Sequence, residues 1–335
     1  MTHMMNDSQT FHTYGDIKDW RLDIFQKSSF THETLNDVHD NIMRAVVDLA
    51  VKQMESERGQ IPARFAFIVM GSSGRWEQSL LSDQDHGIIF DGHDKHRDYF
   101  LQLGEEIVKG LDICGYEKCE GKVMANNPNW TKSLKNWEEK LKEWLDHKSW
   151  ENLRHFSIFT DARVLRGDRD LLNQLKQPIL NKISSDQETL MRLCDNVQYI
   201  KKGVGMFGQL LTEQKGPGKG LLDYKDTILF PYVNSARLLA YSEAITETST
   251  SKRLDMLPRH LHEFRAYKDS FEKAIAFRLR LTNPDHGYEL IHYVATDTLT
   301  KQEKETLKTW MKDGQLFLKR VTAMLKNSKN RGIDV

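Results

Sequence analysis

Asp83 and Asp85 stand two positions apart in Ser82-Asp83-Gln84-Asp85-His86, and their type and spacing point to metal chemistry. In an extended strand, residues i and i+2 face the same side, so both carboxylates can aim at one point. Like charges so placed repel unless a cation lies between them. Hard oxygen donors suit Mg2+, which takes one or two carboxylates and completes its octahedron with water and substrate phosphates; Mn2+ accepts the same donors. Upstream, Gly71-Ser72-Ser73-Gly74-Arg75 supplies the complementary half. Its glycines let backbone N–H groups approach an anion without Cβ obstruction. A helix opening at Gly74 and running to Leu81 would add its positive end, and the planar fork of Arg75 can hold two phosphate oxygens. The expectation is a metal and triphosphate site, with Asp83 and Asp85 as metal ligands and catalytic residues. Gly71, Ser72, Ser73, Gly74 and Arg75 are its nucleotide-binding residues. Each half alone has an ordinary explanation, a solvated strand start or helix cap for Asp-x-Asp and a common turn for Gly-Ser; the combination has few.

The flanking elements must hold these residues in place. Phe65-Ala66-Phe67-Ile68-Val69-Met70 and Gly87-Ile88-Ile89-Phe90 read as buried strands. Leu35, Val38, Ile42, Ala45, Val46, Leu49 and Ala50 recur at three- and four-residue steps and predict a helix from Thr34 to about Glu57, stopped by Gly59 and Pro62. A second helix carries Tyr99, Leu103, Ile107 and Leu111 and ends at Gly115. A strand is expected within Tyr116–Ala125, then a helix bearing Leu134, Trp137, Leu141, Trp144 and Leu145. Phe156–Arg163 fits either strand or helix. From about Leu171 the pattern turns helical, with segments near 187–214, 224–247, 258–282 and 300–326, and Thr300-Lys-Gln-Glu303 spells a capping box before the last. Gly203-x-Gly205-x-x-Gly208 spells a dinucleotide fingerprint, but no strand precedes it and close helix packing explains it better. Residues 1 to about 30 show no clear period and read as a partly ordered segment.

At 335 residues the chain has room for about two domains. Lysine plus arginine equals aspartate plus glutamate at 48 each, so no broad nucleic-acid-binding face is expected, and neither DNA nor RNA is an expected partner. Three cysteines, Cys114, Cys119 and Cys194, are too few for a secreted scaffold and form no zinc pattern with nearby histidines, so they read as free thiols. Neither a signal-peptide pattern nor an apolar run of ~18 residues occurs, so no membrane association is expected and the expected compartment is the cytoplasm.

Gly71-Ser-Ser-Gly-Arg75-x-Glu77 followed by Ser82-Asp-x-Asp85 resembles the nucleotidyltransferase fold of the polymerase-beta superfamily. Within it, the chain is most similar to a nucleotidyltransferase family of bacterial signalling proteins related to the uridylyltransferase that modifies the PII protein. The likeness continues through Cys114–Trp130, Ser157–Asp168, Leu222–Lys225 and Ser249–Leu254. It implies an α+β protein: a small mixed sheet with flanking helices over residues 31–170, then an all-α substrate-binding domain over 171–330. It implies Mg2+-dependent transfer of a nucleoside monophosphate from a triphosphate to a hydroxyl, with a regulatory protein as acceptor and a role in signal transduction. The superfamily commonly adds a third carboxylate on a neighbouring strand, for which Asp161 is the best-placed candidate; a charge pair with Arg163 or a cap is the other reading of Asp161. Two alternatives stay open, a nucleotide-responsive binding module without catalysis and transfer to a small hydroxylated molecule.

Overall fold

The apolar run Phe65–Val69 forms strand β1 at the centre of a four-stranded mixed sheet. The computed structural model describes residues 11–282 and 287–327. The first ten residues of the expected N-terminal segment, and positions 328–335, lie outside them. After β1 comes a short strand, β2 (Asp83–Gln84), and then β3 (His86–Phe90), which runs antiparallel to β1 with Phe65 opposite Phe90 and Val69 opposite His86. β2 pairs in parallel with β4 (Glu117–Lys118), β5 (Thr131–Ser133) pairs in parallel with β3, and β6 (Arg163–Gly167) lies antiparallel to β1 on its other side. The order across the main sheet is β5-β3-β1-β6. Every residue of β3 is buried, as the apolar run Gly87–Phe90 predicts, and so is His86 at its start.

Among the described residues, those up to Glu143 together with Ser157–Lys176 make one compact unit. Helices α2 (His32–Arg58) and α4 (Arg97–Ile113) cover the sheet in this unit, α1 (Tyr14–Lys27) packs on both, and a single helical turn, α3 (Gly71–Gly74), follows β1. Ile17, Ile24, Ile42, Val46, Leu103 and Ile107 join Phe67, Ile88 and Phe90 in one core. Within the segment expected to be partly ordered, Tyr14–Lys27 form a regular helix that the sequence did not announce: Thr13 caps it with a capping box, and Tyr14, Ile17, Arg21 and Ile24 form its buried stripe. The arginine in that stripe hides the apolar period. Its guanidinium lies over the rings of Phe25 and Tyr116, at 4.7 and 5.3 Å. α5 (Leu134–His147) buries the tryptophan stripe, and Trp137 Nε1 donates to the Ile88 carbonyl at 3.0 Å. The ambiguous stretch resolves as α6 (Trp150–Thr160), a turn, and β6.

The second unit comprises Trp144–Phe156 and the described residues from Gln177. α7 (Arg169–Ser184) and α8 (Gln187–Asn196) are followed by β7 (Leu222–Asp223), a π-helical turn at Lys225–Leu229, α9 (Phe230–Ser242), α10 (Thr250–Asp255), α11 (Tyr267–Leu281), β8 (Tyr293–Val294) and α12 (Lys301–Asn327). Phe317 of α12 stacks on Tyr267 with centroids 4.2 Å apart, and the Tyr232 hydroxyl donates to the Trp310 carbonyl at 3.0 Å. A Cβ at Gly314 would lie 2.9 Å from the Tyr232 ring, so this mid-helix glycine is set by close approach. The capping box before α12 is present: Glu303 N–H donates to Thr300 Oγ1 at 3.3 Å and Thr300 N–H to Glu303 Oε2 at 2.8 Å.

One long helix is missing. The segment expected over 187–214 ends at Asn196, and beyond it the backbone makes a narrow turn with Val204 bridged to Leu210. Gly208 sits there at φ +77°, which breaks helical continuation, so the glycine fingerprint lies in a loop and not on a helix, while close packing does hold at Gly203, where a Cβ would meet Met311 Sδ at 2.5 Å. No helix among the described residues is long and apolar enough to cross a membrane.

Candidate active site

The strand containing the aspartates alternates as a period of two demands. Ser82, Gln84 and His86 are buried, while Asp83 and Asp85 are half-exposed on the opposite face. The buried face is tied down in detail. Gln84 Nε2 donates to the Tyr116 carbonyl at 2.9 Å, and Ala125 N–H donates to His86 Nδ1 at 3.0 Å. His86 Nε2 therefore carries the proton and donates to Gln84 Oε1 at 3.1 Å, and burial pushes this imidazole down to about 3. The carboxylates are presented by a backbone whose other face cannot rotate.

Next to them lies a residue that sequence reasoning left aside. Asp83, Asp85 and Cys119 each offer a ligand atom within 4.8 Å of the others. The parallel register of β2 with β4 sets Asp83 against Glu117 and Gln84 against Lys118, so the next step brings Cys119 to Asp85. Burial, then the charge of Asp85, pushes the Cys119 thiol up to about 12, and the protonated thiol donates to Asp85.

On the other side stands the glycine turn. Met70 N–H donates to the Asp85 carbonyl at 2.8 Å, which fixes the end of β1 to the aspartate strand. Gly71 follows at φ +53°, and a Cβ there would come within 2.1 Å of Asp85 Oδ2. Glycine thus serves both the left-handed backbone and the seat of the carboxylate. The expected helix from Gly74 to Leu81 is replaced by the single turn Gly71–Gly74, after which Trp76 takes φ +55° and ends the winding. As the first residues of that turn, Gly71, Ser72 and Ser73 have N–H groups with no acceptor one turn earlier. Ser73 directs its hydroxyl into the interior, toward Met43 Sδ at 3.7 Å, so only its backbone faces the turn; Ser72 is half-exposed.

Arg75 and Asp161 are brought together. Arg75 Nε donates to Glu77 Oε2 and its Nη1 to Asp161 Oδ2, both at 2.6 Å. Asp161 lies in the turn between α6 and β6, fully buried, and outside the group formed by Asp83, Asp85 and Cys119. The expected strand-borne third carboxylate is thus an ion-pair partner of the expected phosphate-binding arginine. The charge pair anticipated as the other reading of Asp161 exists, but with Arg75. Arg163 instead bonds Asp40 of α2 through both carboxylate oxygens, at 2.8 and 2.5 Å, and donates to the Ser73 carbonyl at 2.9 Å.

Residues 24–151 match the family described as "Putative nucleotidyltransferase DUF294". Residues 187–324 match its companion, "Putative nucleotidyltransferase substrate binding domain". The chain belongs to this nucleotidyltransferase family. No curated protein matches it. In this family member the matched N-terminal region contains the glycine turn and the aspartate pair, and membership supports nucleotidyl transfer as the general activity. The donor set fits a divalent cation: two half-exposed carboxylates converge beside a glycine whose missing Cβ leaves room for one of them. Cys119, Arg163 and Asp40 carried no signal in spacing, because pairing between distant segments brings them to the site; only the polar character of Asn36, His39 and Asp40 within the apolar stripe of α2 hinted at a buried network.

Proposed function

We propose that the chain is a Mg2+-dependent nucleotidyltransferase that moves a nucleoside monophosphate from a nucleoside triphosphate to a hydroxyl on a regulatory protein of the PII kind. The observation that carries the reading is the convergence of Asp83 and Asp85 beside the Gly71 turn in a chain of this family. Asp83 and Asp85 hold the cation, which when bound neutralises phosphate oxygens and orients the leaving pyrophosphate. The N–H groups of Gly71, Ser72 and Ser73 receive the phosphates, and Ser72 is the one hydroxyl of the turn on the accessible side. Arg75, fixed between Glu77 and Asp161, braces the end of the turn and offsets the charge of those two carboxylates beside it. The residues align charge and supply no covalent nucleophile.

The test is release of pyrophosphate from ATP or UTP with Mg2+ or Mn2+, with labelled nucleotide traced into PII-type protein. Asp83→Asn is expected to abolish turnover while leaving stability within about 0.5 kcal/mol, because the side chain is half-exposed on the face away from the core. An unfolded variant would make the aspartate structural and end the proposal. One observation favours a second reading: among the described residues no third carboxylate joins the pair. A nucleotide-responsive binding module would bind triphosphate and transfer no label to any acceptor.

A further inference from the structure

Nucleotidyl transfer through Mg2+ has no use for sulfur, yet Cys119 shares the donor group with both aspartates. We propose that Cys119 is the third protein donor at this centre and fixes its metal preference, making it a mixed oxygen and sulfur site that takes a thiophilic divalent cation of the Zn2+ class more tightly than Mg2+. The proposal rests on the reading of Asp83 and Asp85 as metal ligands.

Three features separate Cys119 from an incidental thiol. Its Sγ lies within 4.8 Å of ligand atoms of both carboxylates, so one ion can reach all three. It arrives on a separate segment, in the register of β4 on β2, so sulfur and oxygens approach from two sides and not along one strand. It shares the half-exposed environment of the aspartates, whereas Cys114 and Cys194 are fully buried. Mg2+ and Ca2+ keep to oxygen, while Zn2+ and its neighbours accept thiolate and carboxylate in one four-coordinate shell. On binding, a bond forms between Sγ and the ion as the thiol proton leaves to solvent. The Asp85 oxygen that had accepted from the thiol then turns to the ion. Zn2+ thereby occupies the same aspartates as Mg2+ and inhibits Mg2+-supported turnover.

The experiment uses the full chain and Co2+ as a spectroscopic stand-in for Zn2+. Wild-type protein is expected to show a near-ultraviolet sulfur-to-cobalt charge-transfer band that Zn2+ displaces, retained in Cys194→Ser and lost in Cys119→Ser. Calorimetry on Cys119→Ser is expected to show Zn2+ affinity reduced at least 10- to 100-fold with Mg2+ affinity unchanged and a wild-type melting temperature. Co2+ binding without the band, or unchanged Zn2+ affinity in Cys119→Ser, overturns the sulfur ligand. The Mg2+-dependent pyrophosphate assay is read separately. If it persists while the band is absent, only the role of Cys119 falls; if Asp83→Asn leaves both metal binding and turnover intact, the aspartate reading falls with it.

Discussion

Arg75 is 14% exposed and bonds two carboxylates that are themselves almost fully buried. Removing a cation from such an arrangement leaves buried negative charge behind, which costs about 3–5 kcal/mol. Arg75→Ala is therefore expected to lower the urea midpoint, and Arg75→Lys to recover only part of the loss because an ammonium cannot reproduce the fork. A variant of unchanged stability with a raised Michaelis constant for triphosphate would return this arginine to direct phosphate contact. The contrast between Arg75 and Asp83 shows what residue types and spacing can convey. The aspartates were legible because a strand's period of two is local. The partner of Arg75 was not, since Asp161 lies 86 positions away and only the packing of β6 on β1 brings it near. Cys119 was hidden for the same reason.

At the scale of elements, the site is an agreement between α2, β6 and the turn after β1. Arg163 opens β6 opposite Val69, bonds Asp40 of α2, reaches the Ser73 carbonyl and lies 3.9 Å from the Trp76 ring centroid. One guanidinium thus closes a helix, a strand and a loop on each other. Arg163→Lys keeps the charge but loses the bidentate bond and the flat stacking. Turnover is expected to fall by up to about 10²-fold through misplacement of the turn, with the melting temperature less affected; wild-type turnover would show that the turn holds its shape unaided. Elements with clean periods were readable: α2, α5 and α12 from their stripes, β1 and β3 from unbroken apolar runs. α1 was not, because Arg21 occupies a buried position, and the loop after α8 was not, because its scattered apolar residues mimic a helical stripe. Met206 and Phe207, within that segment, are 96% and 93% exposed.

Across the whole molecule, buried neutral imidazoles tie stability to pH. His39 accepts from the Tyr116 hydroxyl and donates to the Ser79 carbonyl, each at 2.8 Å, and burial pushes it down to about 3, as it does His86. A folded value below the unfolded value means that the unfolded chain binds more protons between the two. The contribution of each histidine is complete above about pH 6.5 and is lost as pH falls toward 3, at roughly 1.4 kcal/mol per pH unit. Urea denaturation from pH 7.5 to 4.5 should show this slope, and His39→Gln should reduce it; a flat profile would mean that these rings protonate in the folded state.

The path of the backbone has a practical corollary. Because Trp144–Phe156 belongs with the residues from Gln177, while Ser157–Lys176 belongs with those before Glu143, the polypeptide changes allegiance three times. No single cut of the gene leaves both folding bodies whole: a cut near residue 143 takes from the first the β6 edge that carries Arg163, and one near 177 takes most of α6 from the second. Isolating either body free of the other's residues therefore takes more than truncation: the exchanged segment has to be removed and its flanks rejoined.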